Sequence, residues 1–112
     1  VTGATGSPNV VCGAMTPGEM LSARRLGADV IKLFPAAPLG PGYLKQVLAP
    51  LAGTPILAVG GIDAGNARDY LAAGAIGVAV GSALVAEESV RAQDWPEIER
   101  RAGALVAGLA KS

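Results

Sequence analysis

The chain has no histidine and a single cysteine, Cys12, among its 112 residues. Histidine-based acid–base catalysis, Cys/His metal sites and a disulfide framework are therefore excluded within this sequence. One free cysteine fits a reducing compartment, so we expect a cytoplasmic protein, with Cys12 packed as a small apolar side chain.

The sequence also lacks an excess of charge and long apolar runs. Nine basic and nine acidic side chains cancel, which predicts no nucleic-acid or anionic-membrane partner. No apolar stretch free of glycine and charge is long enough to span a bilayer, and there is no basic export signal. What is present is 51% hydrophobic and 16% charged residues, a composition typical of one folded domain with a buried core.

The apolar residues are concentrated in four short runs separated by helical segments. These runs are Asn9–Cys12, Val30–Phe34, Ile56–Val59 and Ile76–Val80. They are nearly continuous rather than alternating, which is typical of parallel strands covered by helices. The order βα, repeated four times, predicts an α/β fold of parallel units joined by right-handed crossovers.

Capping residues predict where the helices begin and end. Thr16 and Glu19 form a capping box, and Gly27 is a natural end for that helix. The other predicted helices are Tyr43–Leu51, one capped by Asp63 and ended by Gly74, a short one opened by Ser82, and one from Asp94 to about Leu109.

Several charged and polar side chains fit structural roles. Glu97 is interpreted as a cap of the last helix, and Asn66 as support for the helix that Asp63 begins. Arg100 and Arg101 are expected to face solvent.

Lys32 is the first candidate for chemistry. It lies in an apolar run that we expect to be buried on both faces, near the carboxyl end of its strand, where α/β barrels carry their active sites. Burial favours the neutral form of an amine, and a neutral amine can form a Schiff base with a ketone. Strand alternation places Lys32 and Phe34 on one face. Taken alone, Lys32 fits equally well a lysine that snorkels from an edge strand.

Two glycine corners form the second candidate. Gly60-Gly61 ends the third strand and Gly81-Ser82 ends the fourth, each before a predicted helix start. Glycine lets backbone N–H groups approach an oxyanion, and barrels bind phosphate in the loops after their last two strands. A single corner would fit a plain tight turn; two corners, one unit apart and following a strand-end lysine, favour phosphate.

These residues together resemble the bacterial 2-keto-3-deoxy-6-phosphogluconate aldolase family. The matching segments are Val30–Ala36, Leu39–Lys45, Val59–Ile62 with Asn66, and Val80–Ser82. The resemblance implies the second half, strands five to eight, of a (β/α)₈ TIM barrel. It also implies a trimeric lyase of carbohydrate metabolism, of the Entner–Doudoroff type, without cofactor or metal.

Position by position, the resemblance implies a role for each candidate. Lys32 matches the Schiff-base lysine, Phe34 lines the substrate pocket, and Gly60, Gly61 and Ser82 contact phosphate. The implied reaction cleaves a 2-keto-3-deoxy-6-phospho sugar acid to pyruvate and glyceraldehyde 3-phosphate. Val59 stands where the phosphogluconate branch often has Thr, which favours the phosphogalactonate branch.

The chain departs from the family in length. A TIM barrel needs about 200 residues or more, and the family's acid–base glutamate and its neighbouring arginine have no counterpart here. We therefore expect residues 1–112 to be a single partial domain, either a piece of a longer protein or a half that dimerises. Two alternatives stay open: a non-catalytic phosphate-binding half barrel, and another phosphate-binding isomerase or synthase.

Overall fold

A computed structural model describes residues 9–110 as four βα units followed by a final helix. Its strands are β1 (Val11–Gly13), β2 (Val30–Leu33), β3 (Ile56–Val59) and β4 (Gly77–Ala79). They form a parallel sheet in the order β1-β2-β3-β4. Sequential strands are thus neighbours throughout, as the βα repeat predicts.

Five helices lie in the described part of the chain: α1 (Pro17–Arg25), α2 (Ala36–Leu48), α3 (Ala67–Ala72), α4 (Glu87–Arg91) and α5 (Trp95–Ala110). The Thr16–Glu19 capping box is present at the start of α1. Gly27 and Gly74 follow α1 and α3 with φ of 103° and 116°, so both end their helices as predicted. Within residues 9–110, no helix combines the length and the apolarity that crossing a membrane requires.

The hydrophobic core lies between one face of the sheet and helices α1 to α3. Ile31 and Leu33 of β2, and Ile56 and Ala58 of β3, are fully buried. They pack in one cluster with apolar side chains of the helices, namely Met20, Ala23, Leu44, Val47, Ala67 and Tyr70. Burial of apolar area of this kind is the main stabilising term of the domain.

The helix starts predicted at Tyr43 and at Ser82 are wrong. Helix α2 begins at Ala36 rather than Tyr43, because the chain turns helical directly after Pro35 and continues past a kink at Gly40, whose φ is 82°. Pro41 follows that kink, where a missing N–H costs little because a first helical turn leaves it unpaired. Ser82 opens only a turn, in which Leu84 N–H and Val85 N–H donate to the Gly81 carbonyl at 3.0 and 2.9 Å.

Candidate active site

Lys32 lies one residue before the carboxyl end of β2, on the face of the sheet opposite the core. Its register partners are Gly13 on β1 and Leu57 on β3, so their side-chain positions flank it on the same face. A Cβ added at Gly13 would meet nothing within 4 Å. The space on the β1 side of the lysine is therefore open.

The prediction that the Lys32 strand is buried on both faces is wrong for the described part of the chain. Ile31 and Leu33 are 0% exposed, whereas Val30 and Lys32 are only half-buried. Burial differs because the helices of residues 9–110 pack against the Ile31 face only. The lysine is partly accessible to solvent here, not enclosed.

Phe34 is the immediate neighbour of the Lys32 amine. The Nζ atom lies 5.0 Å from the centroid of the Phe34 ring, within the range of a cation–π contact. The ring itself is 51% exposed. The two side chains therefore share the open face, as strand alternation predicts.

The first glycine corner has a backbone that only glycine adopts without strain. Gly60 and Gly61 have φ of 103° and 71°, in the left-handed region. A Cβ at Gly60 would lie 2.8 Å from the Phe34 ring, and one at Gly61 would lie 2.5 Å from the Ala37 Cβ. The loop after β3 is thus packed tightly against the loop after β2.

A hydrogen bond also joins these two loops. The Ala37 N–H donates to the Gly60 carbonyl at 3.0 Å. On the other side, the Asn66 side chain donates to the Gly61 carbonyl at 2.9 Å and accepts from the Asp63 N–H at 2.9 Å. Asn66 therefore holds the corner itself as well as lying at the start of α3.

Backbone donors at both corners are left available for a ligand. Within residues 9–110, the N–H groups of Gly61, Ser82 and Ala83 donate to no backbone carbonyl and no side chain. All three residues are exposed. Free N–H groups beside glycine turns are the donors that bind oxyanions in many proteins.

The two corners line one cavity of about 400 Å³. The lining residues are Phe34, Val59, Gly60, Gly61, Ile62, Asp63, Gly81, Ser82 and Ala83. Four of the five predicted site residues thus meet at one place. Lys32 does not line this cavity itself, but its amine lies beside the ring of Phe34, which does.

Asp63 adds a carboxylate to the lining of this cavity. Its Oδ1 accepts hydrogen bonds from the N–H groups of Gly65 and Asn66 at 2.8 and 3.0 Å, in the turn before α3. The prediction that Asp63 caps this helix is wrong, because the N-cap position is Asn66 and its first helical residue is Ala67. Within residues 9–110, no cluster of three or more His, Cys, Asp or Glu side chains could hold a metal ion.

Glu97 is not the helix cap that the sequence suggests, and Arg101 does not simply face solvent. The Glu97 carboxylate accepts from Arg100 at 2.7 and 2.8 Å and from Arg101 at 2.9 Å. These hydrogen bonds lower the pKa of Glu97 to about 2. Arg101 also donates from Nη1 to the Ala83 carbonyl at 3.3 Å. The i,i+3 and i,i+4 spacing was the sequence signal for the ion pairs, but no spacing rule indicates the contact with Ala83.

Comparison with known proteins relates this chain to a family. Residues 3–101 match the family model described as KDPG and KHG aldolase. A probable 2-dehydro-3-deoxy-6-phosphogalactonate aldolase of Rhizobium meliloti is 42% identical over 73 residues, covering 64% of this chain and 34% of that protein. A solved structure described as native KDPGal superposes with a TM-score of 0.78 at 32% identity, covering 89% of this chain and 47% of the other.

A second group of similar proteins is named for a different enzyme, thiamine-phosphate synthase. A thiamine-phosphate synthase of Methanocella arvoryzae is 41% identical over 91 residues, covering 70% of this chain and 42% of that protein. The fold is of the TIM-barrel type, and the prediction of half such a barrel is confirmed. The chain spans about a third to two fifths of the length of the first curated relatives that it matches.

Proposed function

The chain belongs to the KDPG and KHG aldolase family, and we propose that it carries the Schiff-base and phosphate-binding half of a class I aldolase. The substrate is a 2-keto-3-deoxy-6-phospho sugar acid, and the products are pyruvate and glyceraldehyde 3-phosphate. The observation that carries the proposal is the juxtaposition of Lys32, through Phe34, with a cavity formed by two glycine corners.

Lys32 is the proposed catalytic residue. Its neutral amine attacks the C2 ketone, water leaves, and the resulting iminium withdraws electrons from the C3–C4 bond. That bond breaks as a base removes the proton of the C4 hydroxyl, which releases glyceraldehyde 3-phosphate and leaves an enamine on Lys32. Protonation at C3 and hydrolysis of the imine then release pyruvate and regenerate the amine.

Gly60, Gly61 and Ser82 are the proposed phosphate contacts. A phosphate held by their loops would lie away from the reacting carbons, so its binding energy fixes the position of the substrate chain relative to the amine. The phosphate needs no side-chain cation in this arrangement, because several N–H dipoles can share its charge. Phe34 forms the wall between the amine and the phosphate.

The rest of the enzyme is also part of the proposal. We propose that residues 1–112 are one partial domain and that four further βα units complete the barrel and supply the base. Assembly into a homo-oligomer, with a trimer as the family resemblance implies, and a cytoplasmic location remain predictions.

Borohydride trapping with pyruvate tests the role of Lys32. The wild-type chain should gain the mass of one pyruvate, less one water and plus two hydrogens, with the modification mapped to Lys32. The Lys32→Met variant should gain none. Lys45 on α2 is exposed, so Lys45→Met is the matched control and should be trapped like the wild type.

Failure of trapping in the folded wild type, with phosphate esters still bound, would favour the non-catalytic binding module instead.

The thiamine-phosphate synthase relatives favour a second candidate, a phosphate-binding synthase of that kind. In this second proposal the same glycine corners would bind phosphate, and Lys32 would form no iminium. Thiamine-phosphate synthase turnover that survives Lys32→Met in the complete protein would establish the second candidate and overturn the first.

A further inference from the structure

The corner at Gly81, Ser82 and Ala83 separates two cavities. The candidate phosphate cavity lies on one side. On the other side, against α5, lies a second cavity of about 400 Å³, whose lining includes Arg100, Arg101 and Leu105. Ala83 lines both cavities. The proposed phosphate donors therefore lie on the segment Gly81-Ser82-Ala83 between the two cavities, which we call the wall. Helix α5 lies on the side of this wall away from the phosphate cavity.

Arg101 connects α5 to this wall. Its Nη1 donates to the Ala83 carbonyl at 3.3 Å, across 18 residues of sequence. Its Nε donates to Glu97 at 2.9 Å, and the two side chains are 33% and 27% exposed. A guanidinium presents donors on separate nitrogens in a rigid planar fork, whereas the three donors of an ammonium share one nitrogen.

Arg100, the adjacent residue, has the same carboxylate partner but, within residues 9–110, donates no hydrogen bond to residues 81–83. Both of its hydrogen bonds go to Glu97, at 2.8 and 2.7 Å, and its side chain is 66% exposed. The two arginines therefore differ in one respect that matters for the site. Arg101 holds the Ala83 carbonyl, and Arg100 does not.

We propose that Arg101 is a positioning residue for the phosphate site. Its bond to the Ala83 carbonyl restricts the backbone torsions of Ala83, and so fixes the direction of the Ser82 and Ala83 N–H groups. Because Arg101 approaches from the far side of the wall, it acts on the ligand only through the backbone. Glu97 in turn holds Arg101 in place. The inference rests on the phosphate site of the proposed function and not on the chemistry of Lys32.

Titration with inorganic phosphate tests this role. Binding is followed through the amide NMR signals of Ser82 and Ala83 in the wild-type chain and in the Arg101→Ala and Arg100→Ala variants. Loss of one orienting hydrogen bond predicts an affinity about threefold to tenfold weaker for Arg101→Ala. The affinity of Arg100→Ala should equal that of the wild type. Thermal unfolding of the same samples shows that each variant is folded at the titration temperature.

A purely structural role would lower the unfolding midpoint of Arg101→Ala without changing the phosphate affinity of the folded protein, and that result would overturn the proposal. Arg101→Lys keeps the charge beside Glu97 but replaces the two separate donor nitrogens, Nε and Nη1, by one nitrogen on a differently shaped side chain, so its affinity should also fall. Full affinity in Arg101→Lys would contradict the hydrogen-bond argument.

Absence of phosphate binding by the wild type would also overturn the positioning role. Pyruvate trapping at Lys32 is measured separately. Its failure alone would overturn the aldolase reaction and leave the role of Arg101 standing.

Discussion

The two faces of the sheet are formed by the same strands, but one packs against the helices and the other carries the proposed catalytic lysine. On the core face, Ile31 and Leu33 are 0% exposed and pack beneath the helices. On the other face, Lys32 and Leu57 are half-buried neighbours in register. The strand alternation that divides β2 between these faces puts packing on one side and the proposed chemistry on the other. Stability and activity should therefore respond to different substitutions in adjacent positions.

The strongest test of this difference compares two leucines of the same sheet. Leu33→Ala removes a fully buried side chain and should lower the free energy of unfolding by about 2–5 kcal/mol. Leu57→Ala removes a half-exposed one and should cost about 1 kcal/mol. Urea unfolding of each variant measures both values. Equal losses would mean that the open face is covered in the protein in solution.

Gly61 lies in the loop directly after β3, at the carboxyl edge of the sheet. Substitution there should affect both the stability of the chain and its phosphate binding. Gly61 has a φ of 71°, and a Cβ added there would lie 2.5 Å from the Ala37 Cβ. Gly61→Ala should therefore lower the free energy of unfolding by at least about 1 kcal/mol. It should also weaken phosphate binding. Both effects are measured by denaturant unfolding and by phosphate titration.

Gly42→Ala is the matched control for Gly61→Ala. Gly42 lies in α2, and a Cβ there would meet nothing within 4 Å. Since alanine is the better helix former, this variant should be at least as stable as the wild type and bind phosphate normally. An equally tolerated Gly61→Ala would contradict the proposed need for glycine at the corner.

The smallest expected effect lies outside both faces, at the ion pairs of α5. The pKa of Glu97 is lowered to about 2, so its ionised form is favoured in the folded chain. The stability that it contributes is present above its ordinary value and is lost as pH falls toward about 2. The difference in unfolding free energy between the wild type and Glu97→Gln should therefore shrink from about pH 4.5 downward. A difference independent of pH over this window would contradict the ion-pair assignment.

Local signals in the sequence were sufficient for much of the fold. The capping box at Thr16 and the helix ends at Gly27 and Gly74 are confirmed because each depends on a few adjacent residues. The start of α2 was wrong because Pro38, Gly40 and Pro41 look like a loop. The structure instead accommodates them in two joined helical pieces, with the break at Gly40.

The site was predictable where it depends on the order of strands and not where it depends on tertiary packing. Parallel strands bring their carboxyl ends to one edge, so Phe34, Gly60, Gly61 and Ser82 could be placed together from the sequence. The half-buried state of Lys32 could not be predicted, because it depends on what covers the second face of the sheet. The link from Arg101 to Ala83 depends on how α5 docks, which no local pattern encodes.

The hydrogen bond from Ala37 N–H to the Gly60 carbonyl has a consequence for selectivity. It joins the loop after the Lys32 strand to the loop that is proposed to bind phosphate, so the distance between these two loops is restrained. A site of this kind would select ligands by the distance between their two functional groups. If the proposed function holds, we expect the site to accept molecules whose ketone and phosphate are separated by a set number of carbons, and to discriminate against shorter and longer homologues at the binding step.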